Sequence, residues 1–172
     1  MSSAHTRGRL ATCLPLVLLA CLALSCDHGL SPEMARASAS ETPGFEGTIT
    51  VTSRWPAADS LMDLRVVAIR VFPPTNILQE YLNGTLLFSD KLVLNQDTQT
   101  YTLRMPGLSG VFQYVAVAQQ YAANPFADWR VVGVYTTTGN PAAHAPVDLG
   151  AGLFRRGIDI TVDFINLPPQ PF

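Results

Sequence analysis

Apolar and polar residues alternate in short segments from Phe45 to the end of the 172-residue chain. Valine, isoleucine, threonine and aromatic residues fill these segments, and proline, glycine, asparagine and aspartate separate them. A period of two residues with turn-forming residues between the segments is typical of antiparallel strands. The pattern predicts about seven strands, at residues 48–52, 64–72, 86–94, 100–105, 111–120, 129–137 and 158–164.

The order of these elements favours an all-β fold. Segments 111–120 and 129–137 are long enough to pair as a hairpin. One short helix is predicted at residues 77–83, because Asn76 can cap its start and Gly84 stands where the glycine after a helix belongs. Strands without long intervening helices do not build a parallel sheet. We therefore predict a single antiparallel β-sandwich with one short helix.

The first 25 residues have the pattern of an export signal. Arg7 and Arg9 precede residues 10–25, an apolar run of sixteen residues that contains Pro15. A membrane-spanning helix needs ~20 apolar residues, so a permanent span is only the alternative interpretation. A basic start followed by a short apolar run is typical of a secretory signal. We assign residues 1–25 to a signal peptide.

The apolar run ends in LALSC at residues 22–26, which resembles the lipobox of bacterial lipoproteins. The resemblance implies that Cys26 receives a diacylglyceryl group, that cleavage occurs just before it, and that the new amino group is acylated with a chain such as palmitate. Residues 18–21, LLAC, also match a lipobox, so Cys21 is an alternative site, and secretion without lipidation is another. Two or three acyl chains hold a protein durably at a membrane. The resemblance therefore implies an extracytoplasmic protein of the cell envelope, lipid-anchored to a bacterial membrane.

Composition divides the rest of the chain at about residue 44. All aromatic residues lie from Phe45 onward, and all three cysteines lie at or before Cys26. Residues 26–44 contain no aromatic residue and no hydrophobic period, so we predict a lipidated N-terminus followed by a flexible linker. Residues 45–172 form the predicted domain, which contains no cysteine and therefore folds by packing alone.

Three motifs in the predicted domain resemble those of transthyretin-like and carboxypeptidase-regulatory-like β-sandwich modules of exported bacterial proteins. They are GTITV at residues 47–51, LRMPG at 103–107 and GIDI at 157–160. Residues 108–110 lengthen the tight Pro-Gly turn of these modules. The resemblance implies a β-sandwich that is mostly non-catalytic.

The predicted domain lacks the side chains that most catalytic sites require. Its one histidine is His144 and it has no cysteine, which disfavours a nucleophilic triad and a zinc site. A formal net charge of -2 offers no basic surface to nucleic acid. We therefore expect no cofactor, no metal and no nucleic-acid partner. The alternative is a carboxylate-dependent hydrolase of envelope polymers, whose candidate acids are Asp159 with Asp163 and Asp59 with Asp63.

Aromatic residues in two predicted loops are the candidate ligand-binding residues. Tyr121 and Phe126 lie in the loop of the predicted hairpin, and Trp55 lies in another loop. Loop residues at one end of a sandwich often bind ligands, and rings with polar tips suit sugars and peptides. Trp129 shares its strand parity with Val131 and is predicted to belong to the core. The sequence thus predicts a membrane-anchored binding or structural module, with an envelope glycan or protein as the expected partner.

Overall fold

The computed structural model describes residues 42–171. The predicted signal peptide, the alternative candidate lipidation residues Cys26 and Cys21, and most of the predicted linker lie outside the described residues. No helix in residues 42–171 is long and apolar enough to cross a membrane. The strands are β1 (Gly44–Val51), β2 (Asp63–Ile69), β3 (Leu86–Lys91), β4 (Thr98–Arg104), β5 (Gly110–Phe112), β6 (Tyr114–Gln120), β7 (Trp129–Val134), β8 (Val147–Leu149), β9 (Phe154–Arg155) and β10 (Ile160–Val162). Helix α1 is Ile77–Leu82, and a 3-10 helix covers Ala58–Ser60.

Eight of these strands form one mixed sheet. Its order is β3-β2-β6-β7-β10-β1-β4, and β9 also pairs with β1. Neighbours are antiparallel except that β9 and β10 run parallel to β1. Strands β5 and β8 form a second, antiparallel pair. The prediction of a mainly β fold with one short helix is confirmed. The prediction that all strands are antiparallel is wrong, because the last strand inserts between β1 and β7 in the direction of β1.

A close approach at Gly47 accompanies this parallel pairing. A Cβ atom at Gly47 would overlap the carbonyl oxygen of Ile158, so only glycine permits the observed separation. The same oxygen accepts a hydrogen bond of 2.7 Å from the hydroxyl of Tyr101. Ile158 also donates its backbone N–H to the carbonyl of Glu46 at 3.0 Å, but it lies before the last strand. The predicted strand 158–164 is shortened to Ile160–Val162.

The main sheet curls until its two end strands, β3 and β4, contact each other. Gln99 of β4 joins the two ends. Its side-chain oxygen accepts the backbone N–H of Val93, and its side-chain nitrogen donates to the carbonyl of Val93, both at 2.8 Å. Val93 is the second residue after the end of β3. The curled sheet is therefore a half-barrel whose open side is bridged by one amide.

Alternate residues of β2 and β6 pack into two different apolar clusters. The central cluster lies inside the curl and includes Phe45, Ile49, Leu64, Val66, Phe112, Val115, Val117 and Ile160. The helix-side cluster lies on the opposite face and consists of Val67, Ile69, Leu86, Tyr114, Ala116, Ala118, Val131 and Val134. Both strands are therefore buried on both faces, as expected of central strands.

The predicted strand 111–120 is divided in two. Strand β5 ends at Phe112 and pairs with β8, whereas β6 begins at Tyr114 and pairs with β2 and β7. Phe112 of β5 and Leu149 of β8 are completely buried in the central cluster. The small sheet therefore covers one side of that cluster.

Strand β7 contains an irregularity that interrupts its two-residue period. The ladder with β6 skips Val132, while Val131 is paired with Ala118. Trp129 consequently packs against the helix-side cluster, whereas Tyr135 packs against the central cluster. A bulge of this kind changes the face to which all later side chains of the strand point.

Candidate ligand-binding groove

A groove of about 350 Å³ lies over the helix-side cluster, between α1 and the hairpin loop 121–128. We name it the helix-side groove. Its floor consists of Val67, Ile69, Leu86, Phe88, Ala118 and Val131. Its walls are Ile77, Leu78 and Tyr81 of α1 and Pro125, Phe126 and Trp129 of the loop region. Asp63, Arg65 and Gln120 line the end where β2 begins and β6 ends.

Helix α1 forms where the capping pattern predicts it. The side chain of Asn76 accepts the backbone N–H of Gln79 at 3.0 Å, and Gly84 ends the helix region with a φ of 70°. The helix is only six residues long and none of its side chains is buried. Its apolar residues therefore remain available at the surface, with Leu78 forming one edge of the groove.

Hydrogen bonds within the hairpin loop fix the position from which the side chain of Phe126 projects. Asp128 accepts the backbone N–H of Asn124 at 2.7 Å, and Asn124 accepts the backbone N–H of Phe126 at 3.0 Å. The indole N–H of Trp129 donates to the carbonyl of Pro125 at 2.8 Å. Phe126 projects from this loop with 71% of its surface exposed.

Three rings form a continuous row across the groove. The ring centroids of Tyr81 and Phe88 are 5.8 Å apart, and those of Phe88 and Trp129 are 5.7 Å apart. Both separations fall within the range of favourable aromatic contacts. The row connects α1 to the hairpin by way of β3, with the rings tilted against one another, so the groove has a continuous apolar surface that a ligand can contact.

One end of the groove carries charge. Asp63 is 7% exposed and accepts hydrogen bonds from the backbone N–H of Leu64 at 2.8 Å and from Nε of Arg65 at 2.9 Å. Nζ of Lys91 lies 3.2 Å from the same carboxylate. Nη1 of Arg65 also donates to the carbonyl of Ser89 at 3.0 Å. The buried carboxylate is thus held by two cations from neighbouring strands.

The predicted binding residues do not all meet in this groove. Phe126 lines it together with Trp129, which is half-buried. Tyr121 is exposed beside the guanidinium of Arg130, 5.8 Å from the ring centroid, and does not line the groove. Trp55 lies elsewhere: its indole N–H donates to Asp97 at 2.8 Å and its ring packs on Phe164. The structure therefore brings together only one of the three predicted residues with Trp129.

Two of the remaining candidate acids, Asp159 and Asp163, have structural contacts, whereas Asp59 is exposed. Asp159 accepts the backbone N–H of Thr48 at 2.7 Å. Asp163 accepts the backbone and side-chain N–H groups of Asn166 and the backbone N–H of Ile165, and these donors lower the pKa of the Asp163 carboxyl. In residues 42–171, no group of three or more histidine, cysteine or acidic side chains is placed to hold a metal.

Two buried tyrosines differ in how their hydroxyl groups are satisfied. Tyr101, in the central cluster, donates to the carbonyl of Ile158. The hydroxyl of Tyr114, in the helix-side cluster, has no hydrogen-bond partner among residues 42–171, and burial raises its pKa to about 12. The Tyr114 ring stacks on Phe72 at a centroid distance of 4.6 Å, with His144 packed against both rings. His144 is therefore part of an aromatic contact.

The end of the described chain packs on β7. The side-chain oxygen of Gln170 accepts the backbone N–H of Val131 at 2.8 Å, and its side-chain nitrogen donates to the carbonyl of Val131 at 3.0 Å. The same nitrogen donates to the carbonyl of Pro168 at 2.8 Å. Because Val131 also belongs to the groove floor, the tail supports the strand that carries this floor.

No protein-family model, curated protein or solved structure matches this chain.

Proposed function

We propose that the chain is a lipid-anchored, extracytoplasmic protein of the bacterial cell envelope whose domain binds an apolar ligand in the helix-side groove without catalysing a reaction. The observation that carries the binding role is the exposure of the groove walls. Helix α1 has no buried side chain and Phe126 is 71% exposed. Apolar side chains stabilise a fold by leaving water, so these residues contribute little to folding and are available to a ligand.

The anchoring part of the proposal rests on residues 1–44. The LALSC sequence at 22–26 supports lipidation of Cys26, and the composition of residues 26–44 supports a linker between that cysteine and the domain. We expect Cys26→Ala to abolish lipidation and to release the chain from the membrane fraction, whereas Cys21→Ala leaves a lipidated mature chain. Intact-mass analysis of both variants is the measurement. Acyl groups on Cys21, or an unmodified parental N-terminus, would contradict the assignment.

The proposal includes a β-sandwich related in form to the transthyretin-like and carboxypeptidase-regulatory-like modules. Phe112, Val147 and Leu149 of the small sheet pack in the central cluster together with side chains of the main sheet. Two sheets that share one core are typical of a β-sandwich, and the small sheet and the main sheet share the central cluster, which supports this classification. The non-catalytic role is what the resemblance to those modules implies.

The alternative function, a carboxylate-dependent hydrolase of envelope polymers, has less support. Asp159 and Asp163 are each occupied by backbone N–H donors, and Asp63 is held by two cations. Hydrolysis of isolated envelope polymers by the parent but not by Asp159→Asn would favour this alternative over a binding module.

Binding in the groove is tested with the neutral, solvatochromic dye Nile red. We expect the full chain to enhance the dye fluorescence, and Phe126→Ala to weaken dye binding several-fold. Ile165→Ala is the matched control, since Ile165 is 69% exposed but does not line the groove. Equal dye binding by the parent and by Phe126→Ala would argue against the groove as the site.

A further inference from the structure

We infer that the helix-side groove takes an anionic amphiphile, an alkyl chain that ends in a carboxylate, with the alkyl chain on the apolar floor and the carboxylate at Arg65 and Lys91. This inference rests on the proposed function and adds the chemical class of the ligand.

The charges at the polar end of the groove do not cancel. Arg65 and Lys91 are neighbours across β2 and β3, and both contact Asp63. Neither cation forms a salt bridge with any other acidic side chain in the described part of the chain. Two positive charges therefore share one negative charge, and one positive charge remains for an anion.

Among residues 42–171, Asp63 is the only acidic side chain that lines the groove. The carboxylate of Glu80 on α1 contacts the hydroxyl of Thr85, and that of Asp128 in the hairpin loop accepts the backbone N–H of Asn124. Neither of these carboxylates forms a salt bridge with Arg65 or Lys91. The two cations beside the single carboxylate of Asp63 therefore set the electrostatic preference of this end of the groove.

Arg65 lines the groove, and Lys91 lies next to the lining, with Nζ 3.2 Å from the carboxylate of Asp63. The Lys91 side chain is 62% exposed and the Arg65 side chain is 28% exposed. Hydrogen bonds from a cation to a carboxylate are stronger than those between neutral groups, and partial burial of Arg65 reduces competition from water. A ligand carboxylate at this end of the groove therefore gains more binding free energy than a neutral head group does.

The floor favours an alkyl chain over a peptide. Side chains of valine, isoleucine, leucine, alanine and phenylalanine form it, and none of these offers a hydrogen bond. A peptide lying there would leave some of its backbone N–H and C=O groups unpaired, whereas an alkyl chain has no polar group to satisfy. The volume of about 350 Å³ is within the range of small-molecule sites.

The test compares ligands that share one alkyl chain and differ in the head group: dodecanoate, dodecanol and dodecyltrimethylammonium. The full chain with Trp55→Phe is used, because Trp129 is then its only tryptophan and reports on the groove. We expect dodecanoate to bind about threefold or more tighter than dodecanol, as for one partly exposed charge pair, and the ammonium compound to bind weakest.

Lys91 allows the head-group contact to be removed without disturbing the floor. Lys91→Gln should bring the ratio of the dodecanol and dodecanoate dissociation constants close to one. Because Lys91 is the only lysine of the chain, its acetylation provides a second, independent removal of the charge on folded protein. Arg54→Gln, at an exposed position outside the groove, is the charge-matched control and should leave the ratio unchanged.

The outcomes separate the two proposals. Equal binding of dodecanol and dodecanoate, or an unchanged ratio after both Lys91→Gln and acetylation, would overturn the anionic ligand class while the groove remains a binding site. Failure of all three ligands to change the Trp129 emission, together with no binding of Nile red, would instead overturn the proposed function itself.

Discussion

The two faces of β2 and β6 have the same apolar character but very different coverage. On one face, the curled sheet and the small β5–β8 sheet surround the central cluster, in which Phe45, Phe112 and Leu149 are completely buried. On the other face, one six-residue helix without a buried side chain and a hairpin loop cover the helix-side cluster. The same strands thus contribute to a core enclosed by sheets on one side and, on the other, to a buried apolar cluster whose cover includes the exposed side chains of Leu78, Tyr81 and Phe126.

This difference suggests different roles for the two faces of the sheet: one mainly stabilises the fold, and the other carries the proposed binding groove. Apolar burial contributes roughly 25 cal/mol per Å² removed from water, so the enclosed face supplies most of the folding free energy. The helix-side face retains apolar side chains at the surface, where they add little to folding and can be covered by a ligand. Substitutions in the central cluster should therefore lower stability, whereas substitutions at the groove walls should weaken ligand binding and change stability little.

The largest effect is expected inside the curl. Phe112→Ala removes a completely buried ring and leaves a cavity in the central cluster, so it should lower the free energy of unfolding by ~3 to 5 kcal/mol. Urea denaturation followed by circular dichroism measures this change. A loss below about 1 kcal/mol would show that the central cluster does not carry the stability of the fold.

The two buried tyrosines provide a matched test of the same contrast. Tyr101→Phe removes the donor to the Ile158 carbonyl and should cost about 1 to 2 kcal/mol, because that oxygen loses its partner. Tyr114→Phe removes a hydroxyl that has no partner among residues 42–171, so it should be neutral or stabilising by up to about 1 kcal/mol. Thermal denaturation of both variants gives the comparison. Equal destabilisation by the two substitutions would contradict it.

A smaller effect is expected where the tail supports β7. Gln170→Ala removes both hydrogen bonds to the backbone of Val131 and should cost about 1 kcal/mol. Gln96→Ala is the control, because the Gln96 amide makes a single exposed contact with the Thr98 carbonyl. Faster amide hydrogen exchange at Val131 in Gln170→Ala alone is the second measurement. Unchanged exchange would show that the tail contact is dispensable.

The smallest effect on stability is expected at the groove wall. Phe126→Ala should change the free energy of unfolding by less than about 0.5 kcal/mol, because the side chain is 71% exposed. Together with Phe112→Ala, it compares the same substitution in the central cluster and at the wall of the helix-side groove. A loss comparable to that of Phe112→Ala would mean that the groove wall is part of the core.

The elements that depend on neighbouring residues were predictable from the sequence. The hairpin of β6 and β7 is present, with Gln120 paired with Trp129 as its last pair before the loop. Helix α1 begins after Asn76 and ends before Gly84, as the capping residues indicate. Both features depend on residues close together in the chain, where propensity and turn chemistry are decisive.

The features that depend on distant contacts were not predictable. The parallel pairing of β1 with β10 joins residues more than one hundred positions apart and requires glycine at position 47. The bulge at Val132 separates Trp129 from Tyr135 onto different faces, which strict alternation does not anticipate. The helix-side groove combines a helix, a loop and four strands. Among its residues, the sequence singles out only Phe126, Trp129 and, as a candidate acid, Asp63.

The side-chain amides of Gln99 and Gln170 occupy backbone groups to which another chain could add a strand. Each binds both the N–H and the carbonyl of one valine, Val93 or Val131, on backbone that the sheet leaves unpaired. An open strand edge is a template on which another chain can add a strand, and such additions lead to fibrous aggregates. By imitating a peptide group, each glutamine takes the place that the backbone of an incoming strand would occupy at that valine.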